Sequence, residues 1–186
     1  LKELPPKTEN IHRIELEEKQ RKLYLAAVVD ARDKLQAAKP EDKMAVFAVL
    51  MRLREICCDP RLIVDGWEGG SAKLDACIEL VASAVEGGHR ILLFSQFTSM
   101  LELLAKRLDE EGISHFTLQG STPKPVRAEL VRRFNGGEVS VFLISLRAGG
   151  TGLNLTAADI VIHYDPWWNV AAQNQATDRA YRIGQQ

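Results

Sequence analysis

The sequence predicts an α/β protein: a doubly wound parallel sheet preceded by a helical N-terminal extension. Three observations carry that reading. The runs Ile91-Leu-Leu-Phe94, Val139 to Ser145 and Asp159 to Tyr164 are apolar without alternation, as in strands covered on both faces of a parallel sheet. Segments with helical spacing lie between and after them, the order that crossover connections require. Before residue 66 only helical spacing is found.

Taken in order, Tyr24, Val28, Ala31 and Leu35 fall on 4-3-4 spacing, as do Val46, Leu50, Leu53 and Cys57, so two helices are expected. Lys39-Pro40 separates them and Asp59-Pro60 ends the second. Gly66-Trp67-Glu68-Gly69-Gly70-Ser71 reads as a linker. The expected division is therefore 1–65, helical, and 66–186, α/β. Leu74, Ile78, Val81 and Val85 predict a helix stopped at Gly87-Gly88. The strand at Ile91 follows, then a helix over 98–110 with Leu101, Leu104 and Leu108 on one face. Phe116-Thr-Leu118 is the next strand, and 124–134 a helix bearing Val126, Leu130 and Phe134. The strands ending at Ser145 and Tyr164 follow, and a closing helix over 170–182 completes the order.

Composition narrows the function. The 186 residues are 46% hydrophobic and 26% charged, enough for a real core and far from a disordered composition. A net charge of −1 excludes a polycationic nucleic-acid coat, so any such surface is a local patch. No apolar run approaches the ~18–20 residues of a membrane helix, and no secretory signal opens the chain. Cys57, Cys58 and Cys77 fit neither a disulfide framework nor zinc spacing, which favours a reducing compartment. The four histidines show no ligand spacing, so no metal site is expected, and His163 reads as a core histidine. The chain begins without Met and stops after a helix-like run, so it is expected to be part of a longer protein.

In a parallel sheet, ligands gather beyond the carboxyl ends of the strands. Three loops there have unusual composition: Ser95-Gln96-Phe97, Gln119-Gly120-Ser121-Thr122, and 147–154 with Arg147, Gly149, Gly150, Thr151, Gly152 and Asn154. The glycines let backbone amides approach an anion, although a plain glycine-rich turn has the same composition. Ser121 or Thr122 suits a helix N-cap, and the helix start also suits a phosphate. Lys124, Arg127, Arg132, Arg133 and Arg147 face only Glu129 and Glu138, a local excess of +5 − 2 = +3. In the closing helix, Gln175, Arg179 and Arg182 share one face beside the apolar stripe of Ala172, Ala176, Ala180 and Ile183. Such a pair of arginines suits a polyphosphate, and equally a solvated salt-bridging face. Trp167-Trp168 either stacks a base or plugs a strand end. No GxxxxGK[ST] phosphate cradle is present, and Asp109-Glu110-Glu111 ends a helix instead of following an apolar strand as a magnesium-holding pair does.

Arg147-Ala-Gly-Gly-Thr-Gly-Leu-Asn-Leu155, Asp165-Pro-Trp-Trp-Asn169 and Gln175-Ala-Thr-Asp-Arg-Ala-Tyr-Arg-Ile-Gly-Gln185 resemble the second, RecA-like lobe of Swi/Snf-type ATPases. These are double-stranded-DNA translocases of helicase superfamily two, related to chromatin remodellers and HepA-like proteins. Arg52-Leu-Arg-Glu-Ile-Cys-Cys-Asp-Pro-Arg61, Ser71-Ala-Lys-Leu74, Leu93-Phe-Ser-Gln-Phe97 and Gln119-Gly-Ser-Thr122 follow the family's order, so the resemblance spans nearly the whole chain. The family usually has Asp where Gln119 stands and Glu where Gln173 stands.

The resemblance implies roles residue by residue. Arg179 and Arg182 match the paired arginines that reach the ATP γ-phosphate across an interlobe cleft. Gln175, Gly150, Gly152 and Asn154 fall to the nucleotide side of that cleft. Ser95, Gln96, Gly120, Ser121, Thr122, Lys124, Arg147, Gly149, Thr151 and Trp168 fall to the DNA. ATP and Mg2+ are then held mainly by a preceding first lobe, which is this lobe's partner along with double-stranded DNA and a nucleoprotein or polymerase target. The lobe alone is expected to be inactive. Absence of lysine-rich insertions favours a bacterial source, hence cytoplasm or nucleoid; a eukaryotic relative would be nuclear. The other reading of the sequence is a non-catalytic helicase-like module that binds DNA or protein.

Overall fold

The computed structural model describes residues 8–37, 43–149, 153–166, 174, 177 and 178. The chain divides into two compact units, His12–Ala76 and Cys77–Gln186 with Leu1–Ile11.

The first unit holds helices α1 (Glu18–Ala37) and α2 (Lys43–Cys58) and a 3-10 turn at Pro60–Leu62. The Lys39-Pro40 break lies outside the described residues. Gln20, fully buried on α1, donates through Nε2 to the Ile56 carbonyl at 2.8 Å and so ties α1 to the end of α2. Asp59 ends α2 as expected, and its carboxylate accepts from the Arg61 N–H at 2.9 Å to cap the 3-10 turn. The predicted helical stripes are only partly buried. Ala31 is covered, whereas Val28, Leu35, Val46 and Leu50 are each 37–44% exposed. Within this unit, two helices packed side by side bury one narrow seam and leave the rest of each stripe partly exposed. Cys58 is buried and Cys57 half-buried; burial pushes the Cys57 thiol up, with Lys73 and Arg54 drawing it back. Both pack as helix residues.

The second unit begins within α3 (Ala72–Glu86), which stops at Gly87-Gly88, where Gly88 takes φ +82°. The order then runs β1 (Ile91–Ser95), α4 (Thr98–Glu110), β2 (His115–Leu118), α5 (Lys124–Asn135), β3 (Val141–Ser145), α6 (Leu146–Gly149) and β4 (Ile160–His163). All pairings are parallel and the strand order is β2-β3-β1-β4. The chain therefore steps outward from β1 to β2, returns through β3, and crosses to the far side of β1 for β4. The predicted doubly wound sheet is present. Residues 139–140, expected in strand, precede the first paired residue of β3. Of the closing helix, only residues 174, 177 and 178 are described.

Strands β1 and β3 lie at the centre and every residue of both is buried. Leu92, Phe94, Phe142 and Ile144 join Leu118 and Phe134 of α5 in one apolar cluster. Residues alternate across a strand, so Ile91, Leu93, Val141 and Leu143 face the other side. Helix α4 packs on β1, β2 and β3 with Leu101, Leu104 and Leu108 fully buried. Helix α5 is less deeply set: Phe134 is buried, but Val126 is 46% exposed.

Candidate functional site: the carboxyl edge of the sheet

Because the strands are parallel and nearly in register, their carboxyl ends lie along one edge. Ser95 stands opposite Ser145, Phe94 opposite His163, and Leu118 opposite Ile144. The loops after β1, β2 and β3 are thus brought together, and with them Ser95, Gln96, Gly120, Ser121, Thr122, Arg147 and Gly149. Lys124, at the start of α5, lies at the same edge.

Each loop is fixed by its own hydrogen bonds. Ser95 is fully buried; its hydroxyl accepts from the Phe97 N–H at 3.2 Å and shapes the turn into α4. Ser145, also buried, accepts from the Ala148 N–H at 3.2 Å and starts the short helical turn α6. That turn is a difference from the sequence reading, which has an open glycine-rich loop from residue 147. The serine cap starts a turn of helix before the glycines at 150 and 152. After β4, the Tyr164 N–H donates to the Phe94 carbonyl at 3.0 Å, and the buried Asp165 carboxylate accepts from the Gln96 N–H at 3.1 and 3.2 Å.

The turn after β2 departs from the predicted capping. Pro123 takes the N-cap position of α5, without a side-chain cap. Thr122 Oγ1 instead accepts from the Gln119 N–H at 3.0 Å, and the Thr122 N–H donates to the Gln119 carbonyl at 3.1 Å. A hydroxyl closing its own turn is unavailable as a cap. Gly120 and Ser121 are exposed at its tip. A Cβ at Gly120 would meet nothing within 4 Å, so neither packing nor a positive φ requires glycine there.

Two of the five cations in the basic patch are paired with its two carboxylates. Arg132 donates to Glu129 at 2.6 and 2.9 Å, and Arg133 pairs with Glu138 while lying 4.7 Å over the Phe116 ring. These hydrogen bonds hold the Glu129 and Glu138 carboxyls below their ordinary value. Arg127 is turned to its own loop, Nε donating to the Thr122 carbonyl at 2.7 Å. Lys124 and Arg147 remain exposed.

Asn154 is not brought to this edge. Its carbonyl accepts from Asn135 Nδ2 at 2.9 Å, at the far end of α5, where β3 is about to begin. His163, read as a core histidine, is partnered but only half-buried: it stacks on Phe94 with centroids 5.5 Å apart, and Nε2 lies 2.9 Å from Thr177 Oγ1. Gly150, Thr151, Gly152, Trp168, Gln175, Arg179 and Arg182 lie outside the described residues. Sequence reasoning missed the clasp by Asp165 and gave Arg127 only a share in a charged patch. The available signals were an acid directly after an apolar strand and an arginine one turn into a helix behind a glycine turn.

A doubly wound parallel sheet that gathers the loops after three strands at its carboxyl edge is an α/β lobe with those loops where such folds bind ligands. Comparison with known proteins makes this specific. The family model described as helicase conserved C-terminal domain matches residues 72–184, and that described as SNF2-related domain matches residues 1–62. The chain is 40% identical over 190 residues to a putative ATP-dependent helicase/translocase of Bacillus subtilis, covering 98% of this chain and 21% of that protein. It is 38% identical over 198 residues to the mouse SWI/SNF-related matrix-associated actin-dependent regulator of chromatin subfamily A member 1, covering 99% of this chain and 19% of that protein. Among solved structures, the Sulfolobus solfataricus SWI2/SNF2 ATPase core in complex with dsDNA superposes with a TM-score of 0.79 at 29% identity, covering 93% of this chain and 37% of that one. The chain belongs to the SNF2 family of helicase-like ATPases, and its sheet is the family's RecA-like C-terminal lobe. It spans about a fifth of the length of the curated relatives it matches.

Proposed function

We propose that this chain is the second motor lobe of an ATP-dependent double-stranded-DNA translocase. The observation that carries the reading is the parallel register that gathers the loops after β1, β2 and β3 at one edge. Gly120 adds support: its open face is explained by close approach of an external group, and a DNA phosphate is such a group. Gln96, Gly120, Ser121, Thr122, Lys124, Arg147, Gly149, Thr151 and Trp168 form the DNA side of the lobe, with Ser95 acting through the turn it shapes. Contacts of this kind are to phosphates, so binding is sequence-independent and salt-dependent. The helical extension is read as 1–65 and the lobe as 66–186, a division supported by the interval between the two family matches, although the compact units divide later, between Ala76 and Cys77.

Arg179 and Arg182 reach the γ-phosphate of ATP, supported by Gln175, Gly150 and Gly152. Each guanidinium binds charge that develops on a transferring phosphoryl group, a contribution of about 10³–10⁵ in kcat for an arginine finger. The nucleotide and Mg2+ are held mainly by the first lobe, a reading supported by the family resemblance and by the lack of a GxxxxGK[ST] cradle in this sequence. The isolated lobe is therefore inactive, and motion on DNA follows from the two lobes gripping phosphates in alternation. Among the described residues no helix is long and apolar enough to cross a membrane. The target proposed for the translocase is a nucleoprotein or a polymerase on DNA.

The test is a steady-state ATPase assay of the whole protein with and without duplex DNA, followed by strand displacement. DNA-stimulated turnover without strand separation is the expected result. DNA binding without turnover would overturn it in favour of a non-catalytic binding module.

A further inference from the structure

Arg127 makes an unusual set of bonds. From the first turn of α5 its guanidinium donates to three successive regions of the turn behind it. Nε reaches the Thr122 carbonyl at 2.7 Å, and Nη2 reaches the Gly120 carbonyl at 2.7 Å and the Gln119 carbonyl at 3.1 Å. Its neighbours Arg132 and Arg133 are turned to the carboxylates of Glu129 and Glu138. Arg127 is turned to backbone.

The consequence for the turn is electrostatic as well as geometric. Three carbonyl oxygens that would otherwise present partial negative charge are drawn back onto one cation. The Gln119 N–H is already bound to Thr122 Oγ1, and the Thr122 N–H to the Gln119 carbonyl. Within the described residues, the N–H groups of Gly120 and Ser121 make no hydrogen bond, and both residues are exposed. The turn thus combines two exposed residues whose N–H groups are unbonded among the described residues, a hydroxyl and a glycine without a Cβ, with three carbonyls held on a cation. Successive N–H groups presented in this manner form an anion-binding concavity.

We propose that Arg127 is the positioning residue of the DNA-phosphate turn, fixing Gly120-Ser121-Thr122 with its donors outward; this rests on the DNA-binding reading above. The role requires arginine. Nε and Nη2 lie in one rigid plane and serve separate acceptors, whereas a lysine ammonium is a single point at the end of a flexible stem. Charge alone cannot replace the fork.

The whole protein, fluorescein-labelled duplex DNA of random sequence, and affinity measured by anisotropy over ~50–200 mM salt provide the test. The variants are Arg127→Lys, Arg127→Met, Ser121→Ala and the double Arg127→Lys/Ser121→Ala, with thermal unfolding followed so that all binding is read on folded protein. Arg127→Lys and Arg127→Met should both lose about tenfold in affinity, a change of ~1.4 kcal/mol. Ser121→Ala should weaken binding alone and add little on top of Arg127→Lys, because both act through one turn. If Arg127→Lys binds as wild type while Arg127→Met does not, Arg127 is a direct phosphate ligand and the proposal is overturned. Full additivity of the double variant overturns it as well. If wild-type binding has no salt dependence, or Ser121→Ala and Gly120→Ala both leave it unchanged, the DNA-binding reading of the turn fails first.

Discussion

The carboxylate of Asp165, 4% exposed, accepts from the backbone N–H of Gln96 with both oxygens, at 3.1 and 3.2 Å. It thereby joins the end of β4 to the loop after β1, across a sequence separation of 69 residues. In sequence, Asp165 precedes the segment with Arg179 and Arg182, and Gln96 stands on the proposed DNA side. A buried charge accepting a backbone donor is stronger than a neutral bond, and removing it leaves the donor uncompensated.

Asp165→Ala should accordingly destabilise the lobe by about 1.5–3 kcal/mol, the range for hydrogen bonds to charged groups. In the whole protein it should also lower DNA-stimulated turnover more than basal turnover. Asp165→Asn, which keeps one acceptor oxygen, should recover much of the stability. Thermal unfolding and ATPase assays with and without duplex DNA check both. Equal loss of basal and stimulated rates would show that the clasp serves folding alone.

Gly120→Ala separates stability from binding. A Cβ there meets nothing within 4 Å and the glycine has no positive φ, so alanine fits the folded chain. Reduced freedom of the unfolded chain should leave stability unchanged or raise it by about 0.4–1 kcal/mol. Affinity for duplex DNA should nevertheless fall, because the methyl group stands on the face offered to phosphate. Denaturant unfolding paired with anisotropy reads the two effects separately, and unaltered affinity would remove Gly120 from the DNA side.

The paired arginines should prove silent in DNA binding. Arg133→Gln or Arg132→Gln should leave the slope of log affinity against log salt unchanged, while Lys124→Gln and Arg147→Gln should each reduce it by about one. The partners predict a pH effect instead. Glu129 and Glu138 titrate below their ordinary value of 4.5 in the folded chain, chiefly through hydrogen bonds to Arg132 and Arg133. A depressed folded value adds stability above the unfolded value, which is lost as pH falls through the folded one. Acid melting below about pH 4.5 should be less steep in the Arg132→Gln/Arg133→Gln double variant, by a small margin since both pairs are exposed.

The sheet was legible in the sequence because the physics that makes it is local. Ile91-Leu-Leu-Phe94 has no polar position to place in water, and helix α4 sets Leu101, Leu104 and Leu108 on one face. Phe142→Ala at the centre should cost about 3–5 kcal/mol in chemical unfolding, since its ring is fully buried against Phe116 and Phe134. The loops of the proposed site were legible as compositions but not as geometries. Nothing in the order of residues says that Thr122 closes its own turn instead of capping α5, or that Ser145 starts a helical turn ahead of the glycines. Those outcomes depend on which acceptor lies nearest after the sheet has assembled. A count of charges could not separate the arginines for the same reason: Arg127 and Arg132 are alike in sequence, yet one meets carbonyls and the other a carboxylate.

The two arginines of the closing helix set the last prediction. In the whole protein, Arg179→Lys or Arg182→Lys should lower the ATPase rate by at least about tenfold while leaving DNA affinity close to wild type. Lysine retains the charge but not the planar fork that grips two phosphate oxygens at once. Arg147→Ala should behave in the opposite manner. Its exposed side chain begins the turn that leads into the glycines, so DNA should stimulate turnover less while the basal rate changes little. Measuring kcat with and without duplex DNA, beside anisotropy on the same preparations, separates the two sites. If all three substitutions weaken DNA binding equally and spare the chemistry, the closing helix is a basic DNA-facing surface. The arginines for the nucleotide would then have to come from elsewhere in the protein, because the spacing of Gln175, Arg179 and Arg182 predicts one shared helical face, and a face turned to DNA is not available to ATP.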